Sequence, residues 1–79
     1  MSLEKMVAVE IETLLGATYR IPDVTAGALE DFLRQWPPSQ GTLSIVNVSN
    51  ACLFMPTRIV KIIRVDGVTR WEIPACSPA

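Results

Sequence analysis

Apolar and polar positions alternate with period two over most of this 79-residue chain and fall into a helical stripe in one stretch. Val7, Val9 and Ile11 interleave with Ala8, Glu10 and Glu12, the pattern of a strand that buries one face. Tyr19 and Ile21 resume it beyond Gly16. A two-residue turn at Leu15-Gly16 would set Glu12 against Tyr19 and mix the faces. A three-residue loop of Leu14, Leu15 and Gly16 instead pairs Ile11 with Tyr19, Val9 with Ile21 and Glu10 with Arg20, and gives Gly16 the left-handed position such a loop requires.

Thr25 then offers a hydroxyl to cap a helix, with Val24 and Leu29 spaced as a hydrophobic staple across its first turn. Leu29, Phe32, Leu33 and Trp36 form one stripe at i, i+3, i+4 and i+7, with Glu30, Asp31 and Arg34 on the other side. Pro37 and Pro38 stop the helix, because a residue before proline is pushed out of the helical region and proline donates no N–H.

The remainder reads as strand. Leu43 and Ile45 alternate with Thr42, Ser44 and Val46, and a loop of Val48, Ser49 and left-handed Asn50 sets Ile45 against Leu53 and Leu43 against Met55. Pro56 closes that strand. Thr57 to Lys61 suits either one helical turn or the start of the next strand, which runs over 59–65 into Asp66-Gly67. A regular two-residue hairpin there pairs Val65 with Val68, Ile63 with Arg70 and Lys61 with Glu72 on one face, and Ile62 with Trp71 and Val60 with Ile73 on the other, the face expected to meet the core. The elements run ββαββββ. The expected fold is α+β, one helix packed on an antiparallel sheet or small barrel, in a single small domain over 1–79 with 1–5 and 74–79 as loose termini.

Composition narrows the function. Hydrophobic residues are 49% and charged residues 19% of the chain, a balance that excludes disorder. The formal charge is −1, too near neutral for affinity built on phosphate neutralisation. The sign is uneven: residues 1–40 carry three basic and six acidic side chains, residues 41–79 four and two. No apolar run reaches the ~20 residues of a membrane span and no hydrophobic stretch of a secretory signal is seen, so the expected address is the cytoplasm.

Candidate chemistry is sparse. The chain has no His, the side chain best suited to acid–base work at neutral pH, and its two cysteines, Cys52 and Cys76, match neither zinc nor CxxC spacing. No catalytic residues, metal or cofactor are expected. Glu10 and Glu12 share a strand face, as a carboxylate pair would, but read as a solvated face with Arg20 as cross-strand partner. Cys52 lies among Ala51, Leu53, Phe54 and Met55 and reads as a buried, inert thiol; Cys76 reads as exposed and free, and the cytoplasmic address argues against their pairing. Tyr19, Trp36 and Phe54 fall on periodic apolar faces and read as core. Asn47-Val48-Ser49 matches a glycosylation triplet, without meaning in a protein lacking a secretion signal.

Two surface features remain. Arg58, Lys61, Arg64 and Arg70 make a candidate anion or nucleic-acid contact set, which the hairpin register breaks up by sending Lys61 and Arg70 outward and Arg64 inward, with no interleaved aromatics. The same register leaves Ile63, Val65 and Val68 on the wet face, rimmed by Lys61, Arg70 and Glu72, while Val46, Cys52 and Phe54 lie on the second face of the middle strands. The expectation is a noncatalytic protein-interaction or homo-oligomerising module, with weak nucleic-acid or anion binding by the basic C-terminal half as the alternative.

Overall fold

The computed structural model describes residues 5–73 and has the expected element order, with a short 3-10 turn added. Strands β1 (Met6–Thr13), β2 (Thr18–Thr25), β5 (Val60–Val65) and β6 (Val68–Glu72) form an antiparallel sheet in the order β2-β1-β5-β6. Strands β3 (Thr42–Val46) and β4 (Cys52–Pro56) form a separate two-stranded hairpin, so no single barrel closes. Helix α1 (Ala26–Arg34) and this hairpin contribute Leu29, Leu43, Ile45 and Met55 to one cluster with Val7, Val9, Ile11, Ile63 and Val65 of the sheet. One face of the large sheet therefore carries the whole core, and the helix and hairpin cover it.

The first two hairpins keep the register set by alternation. Ile11 pairs with Tyr19, Glu10 with Arg20 and Val9 with Ile21, and Gly16 has φ +89°. Leu43 pairs with Met55 and Ile45 with Leu53, and Asn50 has φ +66°. The Thr25 hydroxyl caps α1 by accepting from Ala28 N–H at 3.4 Å. Between Pro56 and β5 the 3-10 turn occupies Thr57–Ile59, so the strand starts at Val60.

Three bulges break the large sheet's alternation, and the one in β6 overturns the expected last register. Arg64 pairs with Thr69 but Ile63 pairs with Trp71, leaving Arg70 as the extra residue; Ile62 pairs with Glu72. The pairs Ile63–Arg70, Ile62–Trp71 and Lys61–Glu72 therefore do not form, and Ile73 donates its N–H to the Lys61 carbonyl. The extra residue lets Trp71 join Ile63 and Val65 on the core side, where its indole packs edge-on against Trp36 with centroids 5.3 Å apart. A regular hairpin offers Trp71 only the opposite face, so burial of the indole and of the Ile63–Ile11 pair selects the bulge.

A second bulge sets Ala8 of β1 against Pro22 and Asp23 of β2, with Asp23 at φ +59°. It turns the β2 backbone toward the hairpin loop. Buried Asn47 donates Nδ2–H to the Pro22 carbonyl at 2.9 Å, while its Oδ1 accepts from Ser49 and Ala51 N–H, both at 2.9 Å; Val48 N–H bonds the Asp23 carbonyl. The amide of the glycosylation triplet is thus committed to docking the hairpin. At the last turn Asp66 and Gly67 have φ +51° and +82°, and Asp66 Oδ1 accepts from Ala8 N–H at 2.9 Å.

Candidate functional site

The expected interface around Ile63, Val65 and Val68 is not a surface patch. Ile63 and Val65 are buried in the core beside Ile11 and Val9, and only Val68 of the three is exposed. The rim is dispersed as well. Arg70 turns toward the helix and donates from Nη2 to both Glu30 oxygens, at 2.7 and 3.0 Å, rather than projecting from the outer face. Lys61 and Glu72 lie on the outer side, where Lys61 Nζ stands 3.4 Å from Glu12.

Arg64, expected on the inner face, also lies on the outer one, 3.3 Å from Glu10 and 3.7 Å from Glu12. Glu10 thus bonds Arg64 of β5, although Arg20 stands opposite it in β2. Three of the four candidate anion contacts, Lys61, Arg64 and Arg70, already meet a carboxylate; Arg58, on the 3-10 turn, is exposed. A phosphate would have to displace those carboxylates.

A groove runs between α1 and β6, with the Arg70–Glu30 pair across it. Leu33, Arg34, Trp36 and Trp71 line one end, of about 530 Å³, and Val7, Leu29, Val65 and Val68 line the other, of about 350 Å³. Arg34 is paired with Asp31 at 3.0 Å and Arg70 with Glu30, while Lys5 and Asp66 also line the second end. The buried Trp36 Nε1–H has no acceptor among the described residues. No group of three or more His, Cys, Asp or Glu side chains that could hold a metal ion occurs among the described residues, and no helix there is long and apolar enough to cross a membrane.

The surface that stands out is the outer face of the β3–β4 hairpin. Because Leu43, Ile45, Leu53 and Met55 turn inward, the alternate residues turn out in the cross-strand pairs Thr42–Pro56, Ser44–Phe54 and Val46–Cys52. Phe54 is 70% exposed and Val46 51%. Cys52 is exposed, its Sγ 3.9 Å from Ser44 Oγ, which corrects the reading of a buried thiol. Phe54 and Tyr19, read as core, are likewise exposed; Tyr19 faces the core side but sits on the edge strand β2, with no strand beyond it. Trp36 is half-buried against the core, and Cys76 lies outside the described residues.

One signal in the sequence marks this face beyond its alternation. Every charged residue of the chain lies outside 35–57, so the whole hairpin and the connector that leads into it are free of charge, and Arg58 follows in the turn after it. These features define, among the described residues, a small α+β domain with an uncharged, partly apolar strand face. No protein-family model, curated protein or solved structure matches the chain.

Proposed function

We propose that this domain is a noncatalytic protein-interaction module that binds through the outer face of β3–β4. The carrying observation is the exposed row of Val46, Cys52 and Phe54 on a hairpin without one charged side chain. Protein interfaces are depleted of charge at their centre and enriched in aromatics there, whereas a solvated strand face ordinarily alternates apolar with charged residues. An enzyme reading lacks a set of nucleophile, base and orienting group among the described residues, and anion binding must compete with the carboxylates at Lys61, Arg64 and Arg70.

The test is affinity capture from an extract of the source cell with two baits, the natural chain and Phe54→Lys. Phe54 is outside the core, so the substitution leaves the fold intact. At least one protein, this chain included, is expected to be retained by the first bait and lost by the second. Identical captured sets would overturn the proposal.

A further inference from the structure

We infer that Asp66-Gly67 is a site of covalent self-modification, isomerisation of Asp66 to isoaspartate, which the native turn blocks and opening of the last hairpin releases. The chain carries three Asp and two Asn, and of these five Asp66 alone is followed by glycine. The chemistry needs that neighbour. The Gly67 nitrogen must attack Cγ of Asp66, and a residue without Cβ leaves that approach uncrowded. The carboxylate takes up a proton and the new N–Cγ bond closes a five-membered imide; a carboxyl oxygen leaves as water, carrying that proton and the one from the Gly67 N–H. Water then adds at the main-chain carbonyl of Asp66 and breaks its bond to the Gly67 nitrogen. The chain now runs through Cβ and Cγ, and the former main-chain carbonyl is a free carboxylate that has returned the proton. No oxidant or second reactant enters.

Two features of the fold oppose the first step. Asp66 is fastened twice to Ala8 of β1, its N–H donating to the Ala8 carbonyl and its Oδ1 accepting from the Ala8 N–H, both at 2.9 Å. To reach Gly67 the carboxylate must give up that N–H. The second feature is the turn. Asp66 and Gly67 have φ +51° and +82°, the values of a type I′ turn, whose first central residue has ψ of about +30°. Closing the ring requires Cβ of Asp66 and the Gly67 nitrogen to eclipse about the Cα–C bond, whereas at that ψ they lie almost opposite each other. The conformation that Asp-Gly favours in a hairpin is thus one that protects it.

The block lasts only while the turn does. β6 is an edge strand, four of its five residues are exposed, and it holds the core through Trp71. Such an element opens at a lower free energy than the whole domain. When closing outpaces the chemistry, the modification rate is the rate in the open chain multiplied by the fraction open. The product cannot go back. Isoaspartate adds a methylene to the main chain between Val65 and Gly67, so the two-residue turn no longer joins Val65 to Val68, and the pairing that sets Val65 and Trp71 against the core is lost. The site therefore removes from the native pool chains that have spent time open.

The test is incubation of the purified chain at neutral pH in buffer and in about 6 M guanidinium chloride, followed by trypsin. Cleavage after Arg64 and Arg70 releases the peptide 65–70, which carries the site. Isoaspartate is read as a new peak of unchanged mass that accepts a methyl group from S-adenosylmethionine through an isoaspartyl methyltransferase. It should accumulate in this peptide at least about tenfold faster in denaturant than in buffer. Trp71→Ala, which frees the edge strand, should raise the rate in buffer at least about threefold and leave the rate in denaturant unchanged, whether the variant opens locally or unfolds. Modified chains returned to buffer should fail to regain the natural circular dichroism. Absence of isoaspartate from 65–70 in denaturant overturns the site, equal rates in the two solutions overturn the block, and a modified chain that refolds overturns the loss of pairing.

Discussion

The molecule has two strand surfaces turned away from its core, and each carries a large apolar residue near its middle. On the four-stranded sheet it is Ile62, on the hairpin Phe54. Ile62 is 7% exposed and Phe54 70%, although both point away from the core cluster. The difference lies in their cross-strand neighbours. Ile62 pairs with Glu12 on one side and Glu72 on the other, with Lys61 and Arg64 next to it along β5. Long side chains lay their methylene stems along apolar surface while their charged ends reach water, and the ion pairs Lys61–Glu12 and Arg64–Glu12 hold those stems in place. Phe54 has Ser44 opposite and Val46, Cys52 and Pro56 around it, none long enough to fold over a ring. Whether a strand hydrophobe is sheltered is thus decided by the length of its neighbours as much as by the face it occupies. A short-chained, uncharged surround leaves the ring in water.

The substitution that separates inside from outside most sharply is a lysine at Val65 against a lysine at Phe54. A regular Asp66-Gly67 hairpin makes Val65 a surface residue, whereas the bulge at Arg70 goes with a Val65 that is 7% exposed beside Val9. A lysine there loses the core packing of Val65, and its ammonium reaches water only through the groove end lined by Glu30 and Asp66, where Glu30 already holds Arg70; the combined cost is comparable with the few kcal/mol by which a domain this small is stable. Val65→Lys should therefore lose its cooperative thermal transition, while Phe54→Lys keeps the natural stability within about 0.5 kcal/mol. A folded Val65→Lys protein would restore the regular register and return Ile63, Val65 and Val68 to the surface.

That pair of substitutions also measures how far the sequence can be read. Alternation with left-handed Gly16 and Asn50 was enough for two hairpins, because each loop has one length that keeps apolar residues together. It failed for the third because Ile62 and Ile63 are adjacent and both bulky. One must face outward, and the choice depends on a single extra residue farther along. A bulge at Arg70 leaves no compositional mark, yet it flips each residue of β6 beyond it. For Cys52 and Phe54 the sequence offers two readings, burial from their apolar neighbours and the second strand face from alternation; alternation governs, because Leu53 and Met55 belong to the opposite face. The charge-free stretch 35–57 was legible throughout. Only the separation of the hairpin from the main sheet gives it meaning.

The hairpin's hold on the sheet sharpens the comparison next. No ladder joins β3 or β4 to the large sheet; the polar links at the β2 bulge are the Asn47 amide, which spans from the bulge to the hairpin loop, and the Val48 N–H on the Asp23 carbonyl. Asn47→Ala removes three bonds and leaves the Pro22 carbonyl and two loop N–H groups to find water, a loss of about 2–4 kcal/mol. Urea unfolding should show it as a lowered midpoint, and amide exchange should quicken in β3–β4 more than in β1–β5. Uniform quickening across both would mean that hairpin and sheet form one cooperative unit and that Asn47 does not govern the attachment.

The smallest effect concerns the charged outer face itself. Glu12 is the acidic centre of that face, 3.4 Å from Lys61 and 3.7 Å from Arg64, with its side chain 28% exposed. Exposed ion pairs contribute only about 0.2–1 kcal/mol, but here the pairs share one carboxylate and also fix the stems over Ile62. Glu12→Gln keeps the stem and deletes the charge, leaving Lys61 and Arg64 to repel each other, with Arg64 still paired to Glu10. The expected cost is about 0.5–1 kcal/mol in dilute buffer, shrinking in about 1 M salt, where charges beyond about 3 Å are screened. Glu12→Ala removes the stem as well and should cost more at both salt concentrations, because the loss of cover over Ile62 is not electrostatic. If Gln and Ala cost the same in high salt, stems do not shelter Ile62, and the contrast between the two outer faces would need another cause than side-chain length.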